Sequence, residues 1–464
     1  MSLRSGLMRP LLAASLAAII VSLPGPAVPS AAAASWPHDG LPRTMLVAAA
    51  GIQPGHVGRT SLHLLATYDA NLGLSHATRS FVVDSAAAIT NTSGGPIDRV
   101  ELNTAVARLG DLRLNSVTVD GQVVAARVSD QTIVVPLGGI LPVGAQTVVR
   151  VRYRATLRTT LTGSSWLFTK SNGIVNAYRW LPWVSRATPF TRPNHGDPFV
   201  TPVSPYVRLT VKTDRKLVIA TTGDRIFRSA DGLTQRFEAR DVRDFTVTAA
   251  ADFRTREARV GATIIRYYYR SGTNAQATLD AAVSAFGKLQ DRLGTYPYRS
   301  FKVVQSAGGY GMESPRLIWL PYGTGSANLR YLVAHETAHQ WFYGLVGSDQ
   351  ARQPFADEAA ADFVARSVTG LKRASRCPTG RLDRSIYDYT ARCYYEKVYI
   401  QGGNLIDRAR LIMGSTTFWS ALRRYVADHR YGLSSNRTLL QALDDATPVD
   451  LGGRLFGPRF PSIY

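Results

Sequence analysis

From about residue 55 to residue 250 the apolar positions come in short Val-, Thr- and Tyr-rich runs broken by turn residues, which is the pattern of strands. The runs cover 59–68, 99–102, 116–122, 146–154, 206–213 and 245–248. Asp120-Gly121 divides one of them and marks a hairpin, because a two-residue turn needs positive φ and this pair tolerates it. This half is expected to be all-β. At Asn274 the period changes: apolar residues recur at helical spacing through Leu293. They do so again in the window 329–342, where Leu332, His335, His339 and Phe342 share one stripe, Ser326 is the candidate N-cap, and Gly344 and Gly347 are candidate stops. Between these windows 301–305 and 317–320 read as strands around a glycine-rich connection, in which Gly308, Gly309 and Gly311 permit unusual φ or close backbone approach.

The stripe at 329–342 carries chemistry. His335-Glu336-Thr337-Ala338-His339 puts two imidazoles at i and i+4, on one helical face, so both can reach one metal ion. Glu336 would then stand beside the water that the metal activates, as general base. A third ligand is offered by Glu358, separated from His339 by 18 residues (340–357) and set in the Ala-rich, helix-favouring stretch 355–363. Asp362 follows Glu358 by one helical turn and is expected to accept a hydrogen bond from a ligand His, fixing its tautomer. These residues predict one catalytic zinc ion per chain.

The run from His335 to Phe342 resembles the HExxHxWF motif of the zinc aminopeptidases typified by aminopeptidase N, and the 18-residue gap to Glu358 is similar to that family's gap. Upstream, Gly308-Gly-Tyr-Gly-Met-Glu-Ser-Pro315 resembles the family's GxMEN segment, with Met312 and Glu313 at its Met-Glu pair. The resemblance implies that Glu313 binds the free α-amino group of the substrate, with Gly311 and Met312 beside it in the substrate-binding segment. Downstream, Tyr399-Ile-Gln-Gly-Gly403 resembles the YxKG segment, whose Tyr stabilises the tetrahedral intermediate. Tyr395-Glu-Lys is a competing register; Tyr399 is preferred because the Gly-Gly pair and the amphipathic helix through Leu411 to Gly414 then fall in place. Tyr310, Ser314, Asp357 and Gln401 depart from the family pattern, which leaves subsite preference open. The likeness is strong over 290–432.

It implies a multidomain fold: an N-terminal all-β, saddle-like domain over 35–252, then a thermolysin-like α+β catalytic domain of the gluzincin type over 253–464. Trp180-Leu-Pro-Trp183 and the loop 191–201 are expected to cap the junction. Relatives usually continue into a large helical domain covering the site, so an end at Tyr464 implies a more open cleft, with room for longer substrates.

At the other end, Arg4 and Arg9 precede an apolar stretch over 11–23 that is too short to span a bilayer, and Ala31–Ala34 follows; residues 1–34 read as a secretory signal peptide. No Cys follows the apolar stretch and the two arginines are not adjacent, which argues against a lipid anchor and a twin-arginine signal. The formal net charge is +21, but it is dominated by dispersed arginines with no basic run of five to eight residues. Nucleic acid is therefore not an expected partner, whereas salt-sensitive association with an anionic cell envelope is. Cys377 and Cys393 are the two cysteines of an exported chain and predict one disulfide, which would restrain the segment between Glu358 and Tyr399. The expectation is a secreted, monomeric zinc aminopeptidase acting on peptides with a free N-terminus and having no membrane span in its mature form. A zinc endopeptidase using an open cleft, or a non-catalytic peptide- or wall-binding protein on the same scaffold, are the alternatives; an intact Glu336 argues against the second.

Overall fold

The long central strands of the first half show why it folds as a sheet with one wet face. In Gln146–Thr156 the buried residues Thr147, Val149, Val151, Tyr153 and Ala155 alternate with outward Arg150, Arg152 and Arg154. Period-two alternation of this kind buries one face only. The computed structural model describes residues 51–464 apart from 191–195, 271, 273 and 323, so the signal-peptide reading and part of the loop 191–201 lie outside the described residues.

Gln146–Thr156 belongs to an eight-stranded sheet whose spatial order is Asp224–Arg228, Thr234–Ala239, Val207–Thr213, Leu64–Leu74, Ser80–Asn91, Gln146–Thr156, Arg113–Val119, Gln122–Val123. The last pair is the Asp120-Gly121 hairpin, with φ of 49° and 85° at its two turn residues, the conformation for which this dipeptide is suited. Two four-stranded sheets complete the half. Its core is aromatic: Tyr68 stacks on Trp183 at 4.2 Å, and Phe81 meets Phe168 at 5.0 Å and Trp180 at 5.6 Å edge to face. Each such ring contributes about 2–3 kcal/mol by burial. Trp180 and Trp183 are thus inside the β-rich core and do not cap the junction as the sequence suggested. Arg179 beside them reaches the junction instead.

After Val247–Ala250 the chain passes to the strand Arg254–Val260, which opens a second sheet. A five-stranded sheet runs Arg254–Val260, Thr263–Tyr269, Ser300–Ser306, Leu317–Pro321, Met312–Ser314, with the three central strands mutually parallel. The helix Ala275–Leu293 covers it through Leu279, Ala282, Phe286, Leu289 and Leu293, and Asn274 caps it by accepting from Ala277 N at 3.1 Å. Further helices follow at Ser326–Ala338, Ala360–Thr369, Gly402–Met413, Ser415–Asp428 and Asn436–Asp444. The small buried residues Ala360, Ala361 and Ala365 let the second of these lie close to the first.

The described chain packs as one unit because the halves are tied by buried polar contacts. The Arg243 guanidinium, fully buried, donates to the carbonyls of Thr201, Gly344, Leu345 and Gly432 at 2.9–3.3 Å. Trp319 Nε1 donates to Thr248 Oγ1 at 2.6 Å. Among the described residues no helix is long and apolar enough to cross a membrane.

Candidate active site

The helix Ser326–Ala338 starts one residue after the capping position, which Gly325 occupies, and stops well before Gly344. His339 is the residue at which it opens into a turn. Its ring is held there by Asp357, which accepts from Nδ1 at 2.7 Å, and the Phe342 carbonyl lies 3.2 Å from the same nitrogen. With Nδ1 committed to these acceptors, Nε2 is left as the ligating nitrogen.

Glu358 arrives from a different kind of turn. Phe355–Ala359 is a π turn leading into Ala360–Thr369, and Glu396–Gln401, which carries Tyr399, is a second π turn leading into Gly402–Met413. Each inserts an extra residue into the helical ladder and re-aims one side chain, a device common at functional sites.

The result is a triangle of donor atoms. His335 Nε2 and His339 Nε2 are 3.3 Å apart, and Glu358 Oε2 lies 3.4 Å from the first and 3.3 Å from the second. Ligands about 2.0–2.1 Å from a tetrahedral zinc are separated by about 3.3 Å, so this donor set fits that ion without rearrangement. Glu358 Oε2 has no hydrogen-bond partner and is buried, as a ligand atom facing a cation would be. The Glu313, Glu336 and His339 ligand atoms also lie within 4.8 Å of one another.

The electrostatics follow from burying so many carboxylates together. Burial pushes Glu336 up to about 8; His339 pulls against it, while Glu358, Asp197 and Asp357 add to the rise. Glu313 is likewise pushed up to about 8 by burial, opposed by His339 and reinforced by Asp357, Glu358 and Glu336. Burial alone would lower His339, but Asp357 and Glu358 outweigh it and hold the ring well above the ordinary imidazole range. Burial, and then the Glu358 carboxylate, raises the Tyr399 phenol well above its usual value, so it keeps its proton.

The predicted residues come together unevenly. Glu313 sits on the three-residue edge strand Met312–Ser314, where side chains alternate between faces. Glu313 turns to the metal-ligand cluster, while Met312 turns into the core shared with the β-rich half and Ser314 bonds Asp244 of that half. The Met312 side chain thus packs in that core, which leaves its main chain on the edge strand. Gly311 has no room for a side chain, because a Cβ there would collide with the Glu336 carboxylate. Tyr399 lies against the His335 ring at 5.5 Å, whereas Tyr395 is 40 % exposed and turns to Arg373. The disulfide Cys377–Cys393 is formed and closes the segment leading to Tyr399.

Asp362 corrects a second expectation. It does not hold a ligand His: its carboxylate accepts from the Tyr331 hydroxyl at 2.6 Å and pairs with Arg366 at 2.7 Å, while His335 Nδ1 has no partner. Tyr331, one turn before His335 and stacked on its ring, reaches the carboxylate first. The orienting acid is Asp357. In the sequence Asp357 shows only as a departure from a motif, and Gln350 and Asp197 carry no spacing signal, since each is an isolated amide or acid.

No family model matches the chain, and no curated protein does. Solved structures do. A crystal structure of the M1 zinc metallopeptidase from Deinococcus radiodurans shares 20 % identity over 83 % of this chain and 91 % of its own, with a TM-score of 0.66. A Glu-to-Ala mutant of it superposes at 0.67 with 18 % identity, covering 85 % of this chain and 94 % of that one. A two-domain M1 zinc metallopeptidase mutant bound to L-arginine gives 0.63 at 20 % identity, over 85 % and 92 % of the two chains. What is shared is the fold: a β-sheet-rich N-terminal domain followed by an α+β domain bearing the His335–His339 motif.

Proposed function

We propose that this chain is a zinc metallopeptidase of the M1 type that removes residues from the free N-terminus of peptides outside the cytoplasm. The observation that carries the reading is the triangle of His335, His339 and Glu358 donor atoms with edges of 3.3–3.4 Å, beside two buried carboxylates that are not needed as ligands. A zinc ion held by those three residues supplies a Lewis acid for the peptide carbonyl and makes water a usable nucleophile near neutral pH.

The chain's own residues do the rest. Glu336, the carboxylate beside the metal-holding residues, accepts a proton from the attacking water and returns it to the leaving amine. Tyr399, protonated, donates to the oxygen on which negative charge develops. Glu313 accepts from the substrate ammonium, a charge-assisted contact worth about 1.5–3 kcal/mol. The strand Met312–Ser314 is at the end of its sheet in the described residues, so an extended peptide can pair along it with its N-terminus at Glu313. Solved two-domain M1 zinc metallopeptidase mutants hold L-tryptophan or L-arginine, and an M1 mutant from Deinococcus radiodurans holds a Tyr-Ser-Ala substrate, ligands of the size an exopeptidase site takes.

Export is supported by the Arg4, Arg9 and 11–23 pattern and by a disulfide that needs an oxidising compartment. The test is a peptide digest followed by mass spectrometry. Products shortened one residue at a time from the N-terminus, abolished by a chelator and restored by zinc, are expected; internal fragments would instead assign an endopeptidase.

A further inference from the structure

Gln350 stands in the segment between Gly347–Ser348 and the π turn Phe355–Ala359, with 3 % of its surface exposed. Its Nε2 donates both hydrogens to carboxylates, one to Glu313 Oε1 at 2.9 Å and one to Asp357 Oδ2 at 2.8 Å. Its Oε1 accepts from Arg179 at 3.1 Å. This assigns the amide uniquely: flipping it would set a carbonyl oxygen against two carboxylates and an NH2 against a guanidinium. Asp357 uses its other oxygen on His339 Nδ1 at 2.7 Å. One neutral side chain therefore bridges the carboxylate read as the amine anchor and the carboxylate that orients a metal-holding imidazole.

The far end of the bridge is fixed from the other half of the molecule. Arg179 has a positive φ of 44° and donates to the Tyr343 hydroxyl at 2.7 Å, with Asp244 4.0 Å away. A guanidinium on the amide oxygen polarises the amide and strengthens what its N–H groups donate. A lysine in place of Gln350 would also satisfy two carboxylates, but its charge would compete with the substrate ammonium for Glu313. A neutral double donor fixes both carboxylates and sets no competing cation against the substrate ammonium at Glu313.

We propose that Gln350 is a positioning residue that couples N-terminus recognition at Glu313 to metal holding at His339, so that one substitution weakens both. This rests on the reading of Glu313 and His339 given above. The test compares Gln350→Met, of similar length but with no donor, and Gln350→Glu, of the same shape but with only acceptors, against the wild type. Two readouts are taken: zinc affinity by chelator competition on the purified protein, and the ratio of kcat/KM on a free-amino peptide to that on its acetylated form. Gln350→Met is expected to lose about tenfold in zinc affinity, the lower range for an outer partner of a metal ligand. The free-to-acetylated ratio should fall by about tenfold as well, through KM more than kcat. Gln350→Glu should be worse in both. Should Gln350→Met fail to fold, Gln350→Asn, one methylene too short to span both carboxylates, is expected to show the same paired loss. Wild-type values of either readout in a folded variant overturn the coupling. A wild type with no preference for free amines overturns the Glu313 reading instead, and the chelator competition then decides the link from Gln350 through Asp357 to His339 on its own.

Discussion

A phenol that stabilises an oxyanion must hold its proton and lie beside the metal-holding residues, and of two tyrosines four residues apart Tyr399 is the one packed against a predicted ligand ring. It lies 5.5 Å from the His335 ring and is held protonated by burial, whereas Tyr395 faces Arg373 at the surface. Tyr399→Phe is expected to lower kcat by about two to three decades with little change in KM, since it deletes one transition-state donor. Tyr395→Phe should be nearly silent; the reverse pattern in steady-state kinetics would move the role to Tyr395. At this scale the sequence was legible where chemistry demands a residue type at a spacing, as with His335, Glu336, His339 and Glu358. It was not legible where a role depends on which neighbour arrives first. Asp357 and Asp362 are both acids beside Glu358, and the π turn together with the reach of Tyr331 decides that Asp357 meets the ligand ring. Gln350 has no motif at all; its partners come from three separate stretches of chain.

Among the elements, those whose signal is local were read from sequence. The Asp120-Gly121 hairpin and the helix Ala275–Leu293 appear where the turn residues and the change to helical period place them. The two π turns were not foreseen, because one extra residue in a helical ladder leaves the hydrophobic pattern nearly unchanged. The second of these turns begins three residues after Cys393, so the disulfide restrains the entry to the turn that presents Tyr399. Replacing both cysteines by serine removes the restraint on a 16-residue separation, for which chain entropy gives about 3 kcal/mol. The double variant is expected to show a lower denaturation midpoint and a lower kcat while binding zinc as before. Unchanged kcat at a temperature where the variant is fully folded would show that the bridge serves stability alone.

For the whole molecule, what matters is how the β-rich and mixed halves are clamped. Asp224, on the first half, accepts from Lys302 at 2.8 Å and Ser300 at 2.6 Å and pairs with Arg316, all on the second. Burial alone would raise its pKa, but Lys302 and Arg316 outweigh burial and hold it well below the ordinary carboxylate range. A carboxylate depressed on folding contributes stability that is present above its unfolded pKa of about 3.9 and is lost as pH falls below that value. The melting temperature of Asp224→Asn should therefore lie furthest below the wild type near pH 7, and the gap should begin to narrow only as pH falls below about 4, closing as pH passes down through the depressed folded value. A gap that stays constant over that range would mean that Asp224 acts through packing. The order of the two halves was readable from the end of the strand runs near residue 250 and the change to helical period at Asn274. The clamp was not, because its members lie as many as 92 residues apart and none belongs to a repeated pattern.

The aminopeptidase reading stands or falls on Glu313. The most direct measurement is kcat/KM for a peptide and its N-acetylated form, on the wild type and on Glu313→Ala, with zinc content verified in both proteins. If Glu313 takes the ammonium, acetylation costs the wild type about one to two decades, and Glu313→Ala costs as much on the free peptide while leaving zinc bound. Acetylation should then cost the variant little more, because two changes that delete the same contact do not add. A wild type that cleaves the acetylated peptide as fast as the free one, or a variant in which the two losses add in full, would contradict it.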